Sequence, residues 1–395
     1  FVLFKTKAVV LATGGVGKCW KITSNSWEYT GDGQALGLDA GADLIDMEFV
    51  QFHPTGMVWP PGVRGLLVTE AVRGEGGILK NAAGERFMER YDPERMELST
   101  RDLVAKAIYY ENKAGKGTPH GGVWLDISHR PAEYILSKLP GMYHQFKDLA
   151  DVDITKEPME VGPTMHYMMG GIKVDPDTGA STLPGLYAAG ECSGGMHGAN
   201  RLGGNTLSDL LVFGRRAGIG AAEFARANAE PPGFDTGQIA AAERDLLEPF
   251  ERSSGESPYE VQFALQDVME NRVGIMRTAE DLTVAVESFP ALWERWRRAR
   301  VEGSRLFNPG WHLYWDLRNM LMVGESVARS ALQREESRGG HTRVDFPETD
   351  GTTWERLTSI VRRQNGEMLV ETEPKPEMPD ELRALIAKPT AQPVS

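Results

Sequence analysis

Cysteine is nearly absent: the 395 residues contain two, Cys19 and Cys192, and no C-x-x-C. That excludes a disulfide-built scaffold, a cysteine zinc site and a self-contained iron–sulfur cluster, each of which needs several thiolates at fixed spacing. Long apolar runs are also missing. No stretch approaches the roughly 18–20 residues that a spanning helix needs, so any membrane link is expected to pass through a partner. No basic block occurs, and 43 Lys and Arg stand against 56 Asp and Glu, a formal charge of −13. Such a balance argues against binding nucleic acid or anionic lipid. The phosphate loop G-x-G-x-x-G is not found in these residues either. What is plentiful is glycine, 44 residues gathered in short groups rather than in one linker.

Along the chain, Lys7-Ala-Val-Val-Leu-Ala-Thr13 is an apolar run stopping at Gly14-Gly15, the pattern of a buried strand that ends beside a ligand. Strand texture begins at Phe1, so the chain is expected to start inside a domain. Thr30-Gly-Asp-Gly33 leads into a short helix over 34–40. From about Asp46 to Gly162 the texture becomes short strands, turns and helices, the mark of an inserted domain. Leu183-Pro-Gly-Leu-Tyr-Ala-Ala-Gly-Glu191 returns to the strand-then-glycine style. Helical patterning follows over 215–229 and 236–335. Within it Trp293 and Trp296, then Trp311 and Trp315, recur at helical spacing, as core or subunit contacts would. From Glu371 onward, five prolines predict an extended, partly mobile tail.

Five stretches carry chemistry. In Gln51-Phe-His53-Pro54-Thr55-Gly56 the proline steers His53 away from helix, presenting its imidazole from extended backbone. In Thr69-Glu70-Ala-Val-Arg73 the acid and the guanidinium are three apart and meet on one face of a turn. Flanking Leu66-Leu-Val and the following glycines point to a buried turn, where an ion pair needs a reason to exist. Leu98-Ser99-Thr100-Arg101-Asp102 reads as a helix start with Ser99 or Thr100 as cap, yet it places the cation Arg101 where the helix dipole disfavours it. Pro163-Thr-Met-His166-Tyr-Met-Met-Gly170-Gly171 sets a second histidine before a glycine pair; a plain core histidine fits that pattern as well. Arg201-Leu-Gly203-Gly204-Asn205-Thr206-Leu207 puts a guanidinium ahead of a helix running through Phe213. Asn205 or Thr206 is expected to cap it, and the glycines let the chain approach a ligand closely.

These stretches, with Glu85-Arg-Phe-Met-Glu-Arg-Tyr91, Gly185-Leu-Tyr-Ala-Ala-Gly-Glu191, His197-Gly-Ala-Asn-Arg-Leu-Gly-Gly-Asn-Thr-Leu207 and Glu336-Ser-Arg-Gly-Gly-His341, resemble the flavoprotein subunit of succinate dehydrogenase and fumarate reductase. Aspartate oxidase shares several of them, but usually carries Ala-Ser where this chain has Gly203-Gly204. Thr206 and Met168 depart from the commoner Ser and Asn. The resemblance implies an α/β protein: a partial Rossmann-like FAD-binding domain with an inserted α+β capping domain, then a helical domain and a small C-terminal domain. The expected borders are 1–47 and 164–228 for the FAD-binding parts, 48–163 for the cap, 229–338 for the helical domain and 339–395 for the last.

By the same resemblance, His53 and Thr69 hold one carboxylate of succinate or fumarate, and His166 and Arg201 hold the other. Hydride passes to or from FAD N5, Arg101 transfers the proton, and Glu70 and Arg73 relay it. Thr13, Gly14, Gly15, Asp32 and Glu191 contact FAD, and the helix start at Asn205, Thr206 and Leu207 stabilises reduced flavin. The family's pyrophosphate loop and FAD-linking histidine are expected upstream, so these residues alone should hold FAD weakly. Electrons are expected to leave to an iron–sulfur subunit, itself on a membrane anchor. The expected location is the cytoplasmic face of a bacterial plasma membrane, or the matrix side in a mitochondrion. No metal site and no nucleic-acid partner are expected. The competing readings are an aspartate-oxidase-like flavoenzyme and a non-catalytic docking module.

Overall fold

The computed structural model describes residues 1–230 and 233–386. The chain opens with β1 (Val9–Leu11), α1 (Asp32–Ala40) and β2 (Leu44–Ile45). A second body then begins with β3 (Val50–Met57), α2 (Ala71–Gly74), β4 (Ile78–Lys80), α3 (Met88–Tyr91) and α4 (Arg101–Lys113). It continues through β5 (Val123–Asp126), α5 (Ala132–Lys138), α6 (Pro140–Ala150) and β6 (Met159–Met168). Its four strands form one antiparallel sheet, β3-β6-β5-β4. Leu79, Val104, Ile108, Leu125, Phe146 and Val161 fill its own apolar core. The border expected at 163/164 falls inside β6, which is one continuous strand.

The first body resumes with β7 (Gly171–Lys173), β8 (Leu186–Ala188), β9 (Ser193–Gly194) and α7 (Asn205–Ala227). β8 pairs in parallel with β1, Val9 opposite Leu186. Four longer helices follow: α8 (Thr236–Glu251), α9 (Pro258–Arg272), α10 (Ala279–Arg298) and α11 (Pro309–Gln333). Their starts obey local rules. Asn308 accepts from the Trp311 N–H at 3.0 Å, and Thr278 from the Asp281 N–H at 3.1 Å, each occupying a donor that the helix leaves unpaired. The C-terminal β10 (Leu357–Gln364) and β11 (Glu367–Pro374) extend the first body's sheet, in the order β11-β10-β2-β7-β9, before α12 (Asp380–Ile386).

Several expectations need correction. The run before Gly14 is not a buried strand and no strand begins at Phe1: β1 spans only Val9–Leu11, and because it pairs with β8 alone, Val9 and Val10 stay exposed. The tail from Glu371 is not simply extended: β11 runs through Pro374, paired along its length with β10, and α12 follows; Pro389 and Pro393 lie outside the described residues. The helices expected to end at Phe213 and to begin at Arg215 are one 23-residue helix, α7. Gly214 does not break it, because one internal glycine costs only about 1 kcal/mol relative to alanine and a helix of this length absorbs that. Neither Asn205 nor Thr206 caps that helix; the cap position is Gly204 at φ 76, a left-handed turn that glycine adopts without strain. Likewise Thr100 occupies the cap position of α4 without a side-chain bond.

The tryptophans pack on the main core. Trp293, Trp296 and Trp315 form edge-to-face contacts at 5.6 and 6.0 Å, while Trp311 turns to Phe250 at 5.3 Å. Where the bodies meet, the contact is buried and ionic. Arg334, fully buried, reaches Glu48 at 2.5 Å and Glu336 at 2.9 Å. Arg277 bonds the Glu48 carbonyl and His341, both at 2.8 Å. The same segment braces the loop before α7, since the Gly340 N–H donates to Ala199 O at 2.8 Å.

Candidate functional site

β3 and β6 lie side by side, with His53 opposite Thr164 across the ladder. That register brings His53 and His166 together, their ring centres 5.3 Å apart. From the far side comes Arg201, in the loop before α7, its guanidinium 4.5 Å above the Tyr167 ring. From the helix start comes Arg101. Gln51 joins the two arginines, because its Oε1 accepts from Arg201 at 2.9 Å and from Arg101 at 3.4 Å. Its amide nitrogen donates to Asn200 and to Arg201 O, both at 2.7 Å, so its orientation is fixed. Two cations share one neutral acceptor. They repel each other unless an anion enters.

Glu70 takes Arg101 through Nε at 2.8 Å and Nη2 at 2.7 Å. Arg73 stands 3.9 Å from the same carboxylate and is buried, with one bond of 2.5 Å to Glu97 O. Its Nε and Nη2 have no hydrogen-bond partner among the described residues. The expected buried pair is therefore half right: Arg73 is inside, while the Glu70 side chain is 47% exposed. Burial lowers the Arg73 pKa, Glu70 opposing and Arg101 adding to the effect.

The imidazoles are neutral. Burial and then the Arg201 and Arg101 charges push His166 down to about 3. His53 is held well below the ordinary histidine value by burial first, then by His166, Arg101 and Arg73. The pocket thus offers two guanidinium groups and two neutral rings, a donor set for carboxylates. Thr69 immediately precedes Glu70 and is half-buried, its hydroxyl accepting from the Ala71 N–H at 3.3 Å.

A second group sits at the strand ends. The Thr13 hydroxyl accepts from the Gly33 N–H at 2.9 Å, and Gln34 donates to Gly14 O at 3.2 Å and to Glu191 O at 3.3 Å. The Glu191 carboxylate lies against Gly15, where a Cβ would strike it, and accepts from the Met168 N–H at 2.9 Å. Burial pushes Glu191 up to about 8, against the pull of that N–H and of Arg201. Asp32 stands apart, at the start of α1, accepting from Asn319 at 2.9 Å. Asn205, Thr206 and Leu207 form the first turn of α7, where Leu207 is 69% exposed.

Sequence reasoning missed Gln51, Tyr167 and Ser24. Gln51 carried a usable signal: it is two residues from His53, hence on the same face of a strand. Tyr167 did not. Its hydroxyl reaches His197 at 3.2 Å and Asp209 at 3.4 Å, partners 30 and 42 residues away.

Comparison with known proteins follows this geometry. The FAD binding domain family matches residues 2–207, and the fumarate reductase flavoprotein C-terminal family matches residues 262–384. The chain is 48% identical over 368 residues to a component of the fumarate reductase (CoM/CoB) of Methanothermobacter marburgensis, covering 93% of this chain and 66% of that protein. It is 38% identical to the fumarate reductase flavoprotein subunit of Escherichia coli, covering 94% of this chain and 64% of that one. The solved structure of Mycobacterium smegmatis Sdh1 in complex with UQ1 superposes with a TM-score of 0.87 at 54% identity, covering 97% of this chain and 66% of that chain. The chain therefore spans about two thirds of the length of these relatives.

FAD is the cofactor that the matched domain family binds, and the second group of residues fits it. A buried carboxyl with a single N–H partner suits sugar hydroxyls. Gly14 at φ 81 and Gly190 at φ 71 keep the walls free of side chains. Exposed Leu202 and Leu207 flank a helix start whose dipole favours an electron-rich ring.

Proposed function

The chain belongs to the flavoprotein family of fumarate reductases and succinate dehydrogenases, and on that premise we propose that it binds succinate or fumarate in the His53–His166–Arg201 pocket and interconverts them. FAD, when bound, supplies the two-electron acceptor or donor that this chemistry needs. His166 and Arg201 hold one carboxylate, His53 and Thr69 the other. A dicarboxylate clamped at both ends has its central carbons fixed, which removes orientational freedom before reaction. Arg101 delivers or removes the proton at the carbon next to a carboxylate, and Glu70 exchanges that proton with solvent. Arg73, 3.9 Å from the same carboxylate, takes part in that relay.

The observation that carries this reading is the arrangement of Arg101. It leans on a carboxylate and shares Gln51 with Arg201, so the proton donor and the carboxylate anchor are set at a fixed separation. In the same reading the chain divides into FAD-binding parts at 1–47 and 164–228, a cap at 48–163, a helical domain at 229–338 and a C-terminal domain at 339–395. In this reading electrons leave through a separate iron–sulfur subunit near a membrane; the two cysteines of these residues, both buried and free, take no part in that route. Among the described residues no helix is long and apolar enough to cross a bilayer.

The test uses the full-length, flavin-loaded protein. It should oxidise succinate with a dye acceptor and reduce fumarate with a dye donor. Arg101→Gln should lower kcat by roughly 10²–10⁴-fold, the range of a lost general acid, with dicarboxylate affinity changed far less. A variant that keeps kcat would remove Arg101 from the role.

A further inference from the structure

We infer that the Ser24 hydroxyl donates to Nδ1 of His166 and so fixes that ring as the tautomer carrying its proton on Nε2, which makes Ser24 a positioning residue for the dicarboxylate pocket. The inference rests on the function proposed above. Ser24 lies in the loop after β1, and this loop is clipped onto β6 beside the histidine. The Met165 N–H donates to Ile22 O at 2.9 Å, and Asn25 Nδ2 donates to His166 O at 3.0 Å. Within this clip Ser24 Oγ is 2.8 Å from His166 Nδ1.

A serine hydroxyl has one proton, and the alternative acceptor is Met165 O at 3.3 Å. That carbonyl already accepts the Ser24 N–H at 2.9 Å and the Thr23 hydroxyl at 3.1 Å. Two donors fill its two lone pairs. The Ser24 proton therefore goes to the shorter contact, Nδ1, and leaves the Nε2–H without a partner among the described residues, free for a ligand. The choice matters because the ring is neutral. A doubly protonated imidazolium would offer Nε2–H whatever Ser24 did. Neutral His166 offers it only if something donates to Nδ1; the opposite tautomer turns a lone pair toward the carboxylate and repels it.

The groups facing His166 are His53 from β3, Arg101 from α4 with Glu70 bound to it, and Arg201 from the loop before α7. The Ser24–Asn25 loop adds no charge. All of these stay in a Ser24 variant, so their titration cancels when variant and wild type are compared at each pH.

The experiment measures malonate binding by flavin absorbance in the full-length holoenzyme from pH 8.5 to 6.5. Ser24→Ala should raise the malonate Kd about tenfold or more at pH 8.5, as loss of one oriented hydrogen bond to a charged group does. The variant-to-wild-type ratio should hold across this range, because His166, pushed down to about 3, stays neutral throughout and cannot regain its Nε2–H by protonation. Ser24→Thr should stay within about threefold of wild type, keeping the hydroxyl. If Ser24→Ala does not fold, Ser24→Cys, a weak donor of similar size, makes the same comparison. An unchanged Kd, a ratio that collapses toward one as pH falls to 6.5, or a threonine variant as weak as the alanine one would overturn the inference. Wild-type holoenzyme that binds no malonate and turns over neither succinate nor fumarate would remove the proposed function, and this inference with it. Normal wild-type turnover leaves the Ser24 variants alone to decide.

Discussion

A single side chain in this protein does different work according to how much water it keeps. Glu191 and the two pocket histidines are all neutral inside the fold, for the same reason: burial penalises whichever form is charged. Their effects on stability have opposite signs. A glutamate raised to about 8 binds a proton in the folded state that the unfolded chain has released above its ordinary value near 4.5, so stability falls as pH rises through that window. A histidine lowered to about 3 is neutral when folded while the unfolded chain takes up a proton below 6.5, so stability falls as pH drops through that second window. Glu191→Gln should therefore stabilise the flavin-free full-length protein at pH 8 relative to wild type, by on the order of 1–3 kcal/mol, and make little difference near pH 4.5. Urea titrations at the two pH values decide it. A difference that does not grow with pH would mean that Glu191 is ionised in the fold.

At the scale of elements, the C-terminal β10 is joined to β2 by few ladder positions, Ile360 to Ile45 and Val361 to Leu44. Charge makes up the deficit. Arg334, at the end of α11, meets Glu48 ahead of β3 and Glu336 beyond the helix, all three fully buried. Ser359 in β10 donates to the same Glu48 at 2.9 Å. Such a network contributes little by itself, but removing one member strands the others without solvent. Arg334→Ala should thus destabilise by about 3–5 kcal/mol, because buried Glu48 loses its guanidinium partner while Glu336 keeps Arg338 at 2.9 Å. Arg334→Met combined with Glu48→Gln should recover part of that loss. Thermal or urea unfolding of the three proteins checks both statements; a single variant costing no more than a surface change would show that the network is not what holds the C-terminal strands. Because Gly339 and Gly340 pack against the chain around Ala199, the damage should extend to the loop carrying Arg201.

For the whole molecule the governing contrast is between a formal charge of −13 and a pocket whose charged groups are mostly cations. The overall field repels a dianion, so selection rests on local contacts. In that pocket Glu70 is the nearby carboxylate, and Arg101 already occupies it. No free acid is left to greet an ammonium group among the described residues lining the pocket. Succinate and fumarate should accordingly be used in preference to aspartate by the full-length enzyme. Steady-state kcat/KM values for the three compounds settle the ranking, and a clear preference for aspartate would reverse it.

The sequence by itself determined the local chemistry: which residues lie on strands, where His53 and Arg101 are presented, and where glycine must stand. It could do so because those outcomes depend on neighbours within a few residues. Proline after His53 acts through backbone sterics alone, whereas the apolar run before Gly14 read as a buried strand and proved half-exposed. The motifs likewise named the residues that the fold gathers, His53, Glu70, Arg73, Arg101, His166 and Arg201. What only the tertiary structure decided is how they are connected. Gln51 joins Arg101 across 50 positions and Arg201 across 150, and Ser24 reaches His166 across 142. Separations of that size leave no periodic trace in a sequence, since the contact is set by the β3–β6 register and by a loop clipped onto the neighbouring strand. The burial that neutralises Glu191 and His166 is equally a property of the packed whole, and it exists only once the bodies have closed on each other.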